Sequence, residues 1–137
     1  MTQPFFSILV PVYNVRAYLD ECLEPLTQQS FPDYEVVLVD DGSSDGSGEL
    51  CDAWQARFPE RIRVFHQENQ GVTMSRVRLF REARGRFLVS ADADDVLHRD
   101  ALRISADLLH RFRSSKNGKY IQYFRIFGTL NRHIISR

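Results

Sequence analysis

Three carboxylates fall within four residues, at Asp92, Asp94 and Asp95, directly after the apolar run Phe87, Leu88 and Val89. Close like charges repel, so such a cluster is a poor way to stabilise a fold. It is a good way to hold a hard divalent cation such as Mg²⁺, which takes oxygen ligands from one or two carboxylates together with substrate phosphates. The bland alternative is an acidic turn ahead of a helix whose first turn welcomes Asp. A second acidic group, Asp40-Asp41-Gly42-Ser43-Ser44, follows the apolar run Val36–Val39, and Pro11-Val12-Tyr13-Asn14 closes a third run near the start of the chain.

The elements that must position these groups are legible from periodicity. Phe5–Val12 reads as a buried parallel strand. Leu19, Cys22, Leu23 and Leu26 then recur at helical spacing, with Asn14 as the expected N-cap and Pro25 expected to kink or end the helix. Ser30–Asp33 is a turn cluster. Glu35–Asp40 is a second strand, after which Gly42 permits a tight turn and Ser44 is the expected cap of a helix. Leu50, Cys51, Trp54 and Phe58 form the apolar stripe of that helix, which Pro59 closes. Ile62–Phe65 is a short third strand. A third helix opens after Gly71, with Val72, Leu79, Phe80 and Ala83 marking its expected buried face and Gly85 its expected C-cap. Strand and helix therefore alternate up to the fourth strand at Phe87. This predicts an α/β fold with a mostly parallel, Rossmann-like sheet flanked by helices and joined by right-handed crossovers. Ligands of such sheets sit outside the carboxyl ends of the strands, where all three polar groups converge.

The chain has neither a Walker-type glycine-rich loop nor G-x-G-x-x-G after its first strand. Phosphate must be met otherwise, and a metal on Asp92 and Asp94 would serve. Asp40 can accept hydrogen bonds from a base N–H or from ribose hydroxyls, and Tyr13 offers an aromatic face. Arg76 shares the helical stripe of Val72 and Leu79. Either its stem covers core while its head reaches water, or it is aimed at a phosphate or at the aspartates. A nucleoside diphosphate bridged by a metal satisfies these groups together.

Composition narrows the classes. The 137 residues suit one domain and are 43% hydrophobic, enough for a packed core. The formal net charge of zero gives no argument for a nucleic-acid or membrane partner. No apolar run approaches the ~20 residues of a membrane span, and the first residues do not form a signal peptide. Cys22 and Cys51 lie in helical patterns and read as core thiols. These features predict a cytoplasmic domain, or the cytoplasmic part of something larger, with the inner face of a membrane as its other setting.

The run Ser7-Ile8-Leu9-Val10-Pro11-Val12-Tyr13-Asn14 resembles the opening of the family 2 glycosyltransferases, and Val39-Asp40-Asp41-Gly42-Ser43-Ser44-Asp45-Gly46-Ser47 resembles their second motif. Gln67-Glu68-Asn69-Gln70-Gly71 is similar to the segment before their third helix, and Asp92-Ala93-Asp94-Asp95 to their D-x-D metal motif. The resemblance covers roughly residues 5–112 with several separated motifs in order. It implies a GT-A fold, Mg²⁺ or Mn²⁺, and sugar transfer, with inversion, from a nucleotide-sugar donor, UDP-linked by expectation, to a saccharide or lipid-linked acceptor in cell-wall or exopolysaccharide synthesis. By position it implies that Pro11, Tyr13, Asp40, Asp41, Arg76 and Asp92 serve the nucleotide and that Asp92 and Asp94 serve the metal.

The chain departs from the family pattern at Val77, where Asn is usual, at Leu79, where Gly is usual, and at Arg99, where Pro is common. Family members continue well beyond this length, and the resemblance places the acceptor site and catalytic base in that further part. Asp95 is the one nearby carboxylate left as an alternative base. The sequence divides at residue 112 into a nucleotide-sugar-binding domain and an atypical basic segment, 113–137, with no acid after Asp107. Tyr120–Phe127 within it reads as one more strand beside partly disordered chain. Two other functions fit these features: a metal-dependent nucleotide-sugar binding fragment without turnover, and a protein whose basic tail meets an acidic surface.

Overall fold

A computed structural model describes residues 2–113 of the chain, with side chains through residue 111. The expected strand Tyr120–Phe127 lies outside the described residues. Four strands, β1 (Phe6–Val12), β2 (Tyr34–Asp40), β3 (Ile62–His66) and β4 (Phe87–Ser90), alternate with helices α1 (Arg16–Leu26), α2 (Ser47–Arg57), α3 (Val72–Glu82) and α4 (Ala101–Arg113). The sheet order is β3-β2-β1-β4 and every pairing is parallel. The chain thus builds outward from β1 to β3, then crosses back through α3 to the other side of β1. That reversal puts a topological switch point between β1 and β4, where open α/β sheets form their ligand crevice.

Strand parity decides which face each side chain meets. Phe6, Ile8, Val10 and Val12 of β1, with Val36 and Leu38 of β2, join α1, α2 and α4 in one large core. Leu9, Val37 and Val39 point the other way and meet Leu79 of α3 in a smaller one. Burial on both faces explains why the strands read as unbroken apolar runs, and full burial of each such side chain is worth about 1.5–3 kcal/mol. α1 continues one residue past Pro25 and stops at Leu26.

Four local expectations are corrected. Asn14 does not cap α1, whose N-cap is Val15, and Ser44 does not cap α2, whose N-cap is Gly46. Gly85 is not the C-cap of α3, which ends at an extended Ala83. Val72 and Phe80 are not buried but about half exposed, and the buried residues of α3 are Ser75 and Leu79. Among the described residues one helix covers this face of the sheet, and its buried stripe is narrow.

Gly85 has a different task. Its N–H donates to Ser7 Oγ at 2.7 Å, and Ser7 Oγ donates to Glu35 Oε1 at 2.7 Å. Glu35 also accepts from Arg84 N and pairs with Arg63 at 2.9 Å. Burial works against the charge of Glu35, but these hydrogen bonds outweigh it and hold the carboxyl below its ordinary value. A Cβ on Gly85 would lie 2.5 Å from Ser7 N and 2.6 Å from Phe6 C, against backbone that cannot step aside. We expect Gly85→Ala to cost about 1–3 kcal/mol or more by overpacking, measured by denaturant unfolding. Parental stability in that variant would show that β4 does not depend on this approach.

Candidate functional site

A cleft of about 520 Å³ opens at the switch point. Pro11, Val12 and Tyr13 line it from the end of β1, Asp41 from the end of β2, and Asp92, Ala93 and Asp94 from the end of β4. Asn69, Gly71, Val72 and Ser75 close it from the start of α3. A wider hollow of about 1190 Å³ lies at the opposite edge of the sheet, lined in part by Tyr34, Glu35, Arg61 and Arg63. Two of its cations are engaged within the fold: Arg63 pairs with Glu35, and Arg61 stacks 3.9 Å over Tyr34.

The acid loop is shaped by its alternation. Ala91 and Ala93 are buried, while Asp92 and Asp94 are exposed and Asp95 is half-buried. A turn closed by Asp95 N donating to Asp92 O at 3.0 Å folds the segment back. One carboxylate oxygen from each of Asp92, Asp94 and Asp95 lies within 4.8 Å of the others. Three hard oxygen donors at this spacing fit a divalent cation of the Mg²⁺ or Mn²⁺ type.

The sequence-expected residues separate at Asp40 and Asp41. Asp41 is buried beside the cleft, with Oδ1 accepting from Gln67 Nε2 and Gln70 N at 2.9 and 2.8 Å, and Oδ2 from Gly71 N at 2.9 Å. It therefore clamps the start of α3. Asp40 does not line the cleft. It turns to the other face, where Oδ1 accepts from Ser43 N and Oδ2 meets His66 Nδ1 at 3.0 Å. Gly48 of α2 makes room for it, since a Cβ there would lie 2.5 Å from Asp40 Oδ2. Arg76 is half-buried outside the cleft lining, and its Nε is buried with no hydrogen-bond partner among the described residues.

The helix caps come from distant loops. Val15 N donates to Ser47 Oγ at 3.0 Å and Arg16 N to Asp45 Oδ2 at 3.1 Å, while Asp45 Oδ1 accepts from Ser47 N at 2.9 Å. Asp45 thus serves the first turns of α1 and α2 together. The hydroxyl of Ser47, above all, holds its carboxyl below the ordinary range. Asn14, with φ 49°, accepts from Ser44 N at 2.8 Å and ties the two loops. Beneath the acid loop, Cys22 Sγ donates to Asp92 O at 3.6 Å. Burial first, then Asp95, Asp94 and Asp92, push the Cys22 thiol up to about 12, and burial does the same to Cys51. Both are free, buried thiols, as their helical spacing predicts.

The family model for glycosyl transferase family 2 matches residues 7–127. The chain belongs to that family. It is 41% identical over 92 residues to the glycosyltransferase GlyG of Streptococcus pneumoniae, a match covering 66% of this chain and 30% of that one. Among solved structures it resembles S. aureus TarS 1-349 in complex with UDP, with TM-score 0.73, 30% identity, and 79% of this chain against 32% of that one. It also resembles the mannosyltransferase PcManGT of Pyrobaculum calidifontis in complex with GDP-Man and Mn²⁺, with TM-score 0.69, 25% identity, and coverage of 84% and 34%. The chain spans about a third of the length of these proteins. Their TM-scores bear out the GT-A fold, and among the described residues no helix is long and apolar enough to cross a membrane.

Sequence reasoning missed the family 2 chain's His66. It ends β3 opposite Asp40 and bridges two carboxylates, with Nε2 at 2.7 Å from Asp52 Oδ1. The register that brings His66 to Asp40 is a tertiary fact without a local signal. Hydrogen bonds to Asp40, then to Asp52, raise its pKa above the ordinary value. A raised folded pKa means that this stabilisation is complete below the unfolded value of about 6.5 and is lost as pH rises through the folded one. We expect thermal stability to fall as pH rises above about 6.5, and His66→Gln to flatten the first part of that decline. The buried thiols, raised to about 12, add to the decline only above roughly pH 8.5, where an unfolded thiol titrates. A decline of unchanged depth in His66→Gln would assign it to another group.

Proposed function

We propose that this chain is the donor-binding part of a glycosyltransferase that moves a sugar from a nucleoside-diphosphate sugar, UDP-linked, to a hydroxyl of a saccharide or lipid-linked acceptor. The observation that carries the reading is the meeting of Asp92 and Asp94 in one cleft with Tyr13 and Asp41, with a carboxylate oxygen of Asp95 within 4.8 Å of theirs. The nucleoside lies against Pro11 and Tyr13, and Asp41 holds the wall formed by Asn69 and Gly71. Asp92 and Asp94 hold a divalent cation, with Asp92 also near the ribose. When bound, the cation supplies Lewis-acid stabilisation of the diphosphate charge. Arg76 is assigned to the same anion, supported by its orphaned buried Nε.

The helix termini support a metal-bridged diphosphate. In other α/β folds phosphate sits on the N–H groups of a helix N-terminus. Here Asp45 accepts from the first residues of α1 and α2, and Asp41 from Gln70 N and Gly71 N just ahead of α3. A diphosphate in the cleft meets these carboxylates rather than a glycine-rich cradle, and a cation on the acid loop would offset the negative charge. The acceptor hydroxyl attacks the anomeric carbon in line with the departing diphosphate, which inverts the centre. The general base for that step belongs with the acceptor site, and such a base contributes about 10²–10⁴-fold.

Titration calorimetry with UDP and GDP, with Mn²⁺ or with excess chelator, tests the reading. We expect UDP to bind with Mn²⁺ and to lose about tenfold or more, some 1.4 kcal/mol, on chelation or in Asp94→Asn. Equal UDP affinity with and without chelator would overturn it, and a preference for GDP would overturn the UDP assignment.

A further inference from the structure

Gln29 lies beyond the end of α1 and is nine-tenths buried. Its Nε2 donates to Pro25 O at 3.2 Å and to His98 O at 2.9 Å, and its Oε1 accepts from Leu102 N at 3.2 Å. One amide therefore joins the end of α1, the segment after the acid loop and the first turn of α4. Ser30 continues the attachment, its N–H donating to Arg99 O at 3.0 Å and its hydroxyl to Asp100 Oδ1 at 2.7 Å. At the other end of the loop Cys22 reaches Asp92 O. The segment from Asp92 to Asp100 is thus pinned at both ends by α1 and the turn after it, and Leu97 is buried between the pins.

We infer that Gln29 is a positioning residue for the acid motif: its amide fixes the return of the loop, and so the spacing of the Asp92, Asp94 and Asp95 carboxylates. The inference rests on the proposed metal-binding role of that motif. Pulling three like charges together is unfavourable before a cation arrives, so something neutral and rigid must hold the loop against their repulsion. An amide suits this because it donates to a carbonyl and accepts from a helix N–H at once. A carboxylate at position 29 could still accept from Leu102 N, but its second oxygen would face the carbonyls of His98 and Pro25 without a proton to offer.

The probe is Mn²⁺ alone, followed by electron paramagnetic resonance, on the full 137-residue chain and on Gln29→Glu, Gln29→Met and Asp94→Asn. Affinities are compared at a temperature where circular dichroism shows each variant folded. Both Gln29 variants are expected to bind Mn²⁺ about ten- to a hundredfold more weakly, with faster amide exchange across residues 92–103 and unchanged exchange in β1 and β2. Should the parent bind no Mn²⁺, or Asp94→Asn bind it equally well, the metal reading fails and this inference with it. If the parent binds, Asp94→Asn does not, and the folded Gln29 variants keep parental affinity, the positioning role alone is overturned. A measurement on the parent covers variants that unfold: Mn²⁺ should slow exchange of the Leu102 amide, because coupling between two sites is reciprocal. Exchange indifferent to Mn²⁺ would overturn the inference.

Discussion

The carboxyl edge of the sheet depends on how its helix N-termini are satisfied. Each of the four helices follows a strand, so their positive ends gather at that one edge. The first N–H groups of a helix have no intrahelical acceptor and must find one. Here α1, α2 and α4 find one in a side chain outside their own first turn, Ser47 and Asp45 for α1, Asp45 for α2 and Gln29 for α4, while Asp41 holds Gln70 N and Gly71 N just ahead of α3. Apart from the local Asp45 bond to Ser47 N, these bonds lace the loops together across 29 to 73 residues of sequence. They also bring Asp41 and Asp45 to those positive ends, whereas Asp92 and Asp94 have no cationic side chain paired with them among the described residues.

That arrangement explains which parts of the fold were legible in the sequence. Burial on both faces writes β1 and β2 as apolar runs, and the shorter, half-buried β3 and β4 still show through their apolar residues, so the four strands could be read to within a residue or two. The stripes of α1 and α2 were legible because each packs into the large core. The caps were not, because Asn14 and Ser44 are good local candidates whose side chain and N–H are spent on each other. α3 was misjudged for a related reason: as the single helix on its face among the described residues, it leaves Val72 and Phe80 half exposed and buries a serine. Gln29 and His66 carry no pattern at all, since their partners are set by register and by loop packing.

The pair Asp40-Asp41 shows the limit most plainly. Adjacent residues at a strand end point to opposite faces. Asp40 shares parity with Val36 and Leu38 and so enters the side of α1 and α2, where Gly48 and His66 receive it. Asp41 shares parity with Val37 and Val39 and so reaches α3 and the cleft. Two carboxylates in sequence announce a strand end with polar work to do, but assigning the work requires knowing which face the third helix covers. Parity within β2 was available from the sequence; the placement of α3 was not.

The two ends of the sheet, finally, treat acids in opposite ways. At the amino end Glu35 is surrounded by donors, from Ser7, Arg63 and Arg84 N, and its low pKa marks a charge settled within the fold. At the carboxyl end Asp92 and Asp94 have no cationic side chain paired with them among the described residues, although three carboxylate oxygens crowd within 4.8 Å. A buried acid with its full set of donors is a structural element whose removal would be felt as lost stability. Exposed acids held close by buried alanines, a cysteine below and an amide behind spend packing to keep a repulsive arrangement in place. Such an arrangement makes sense where the missing positive charge arrives with the ligand, which is why the acid loop, and not the larger hollow at the other edge, is where the chemistry belongs.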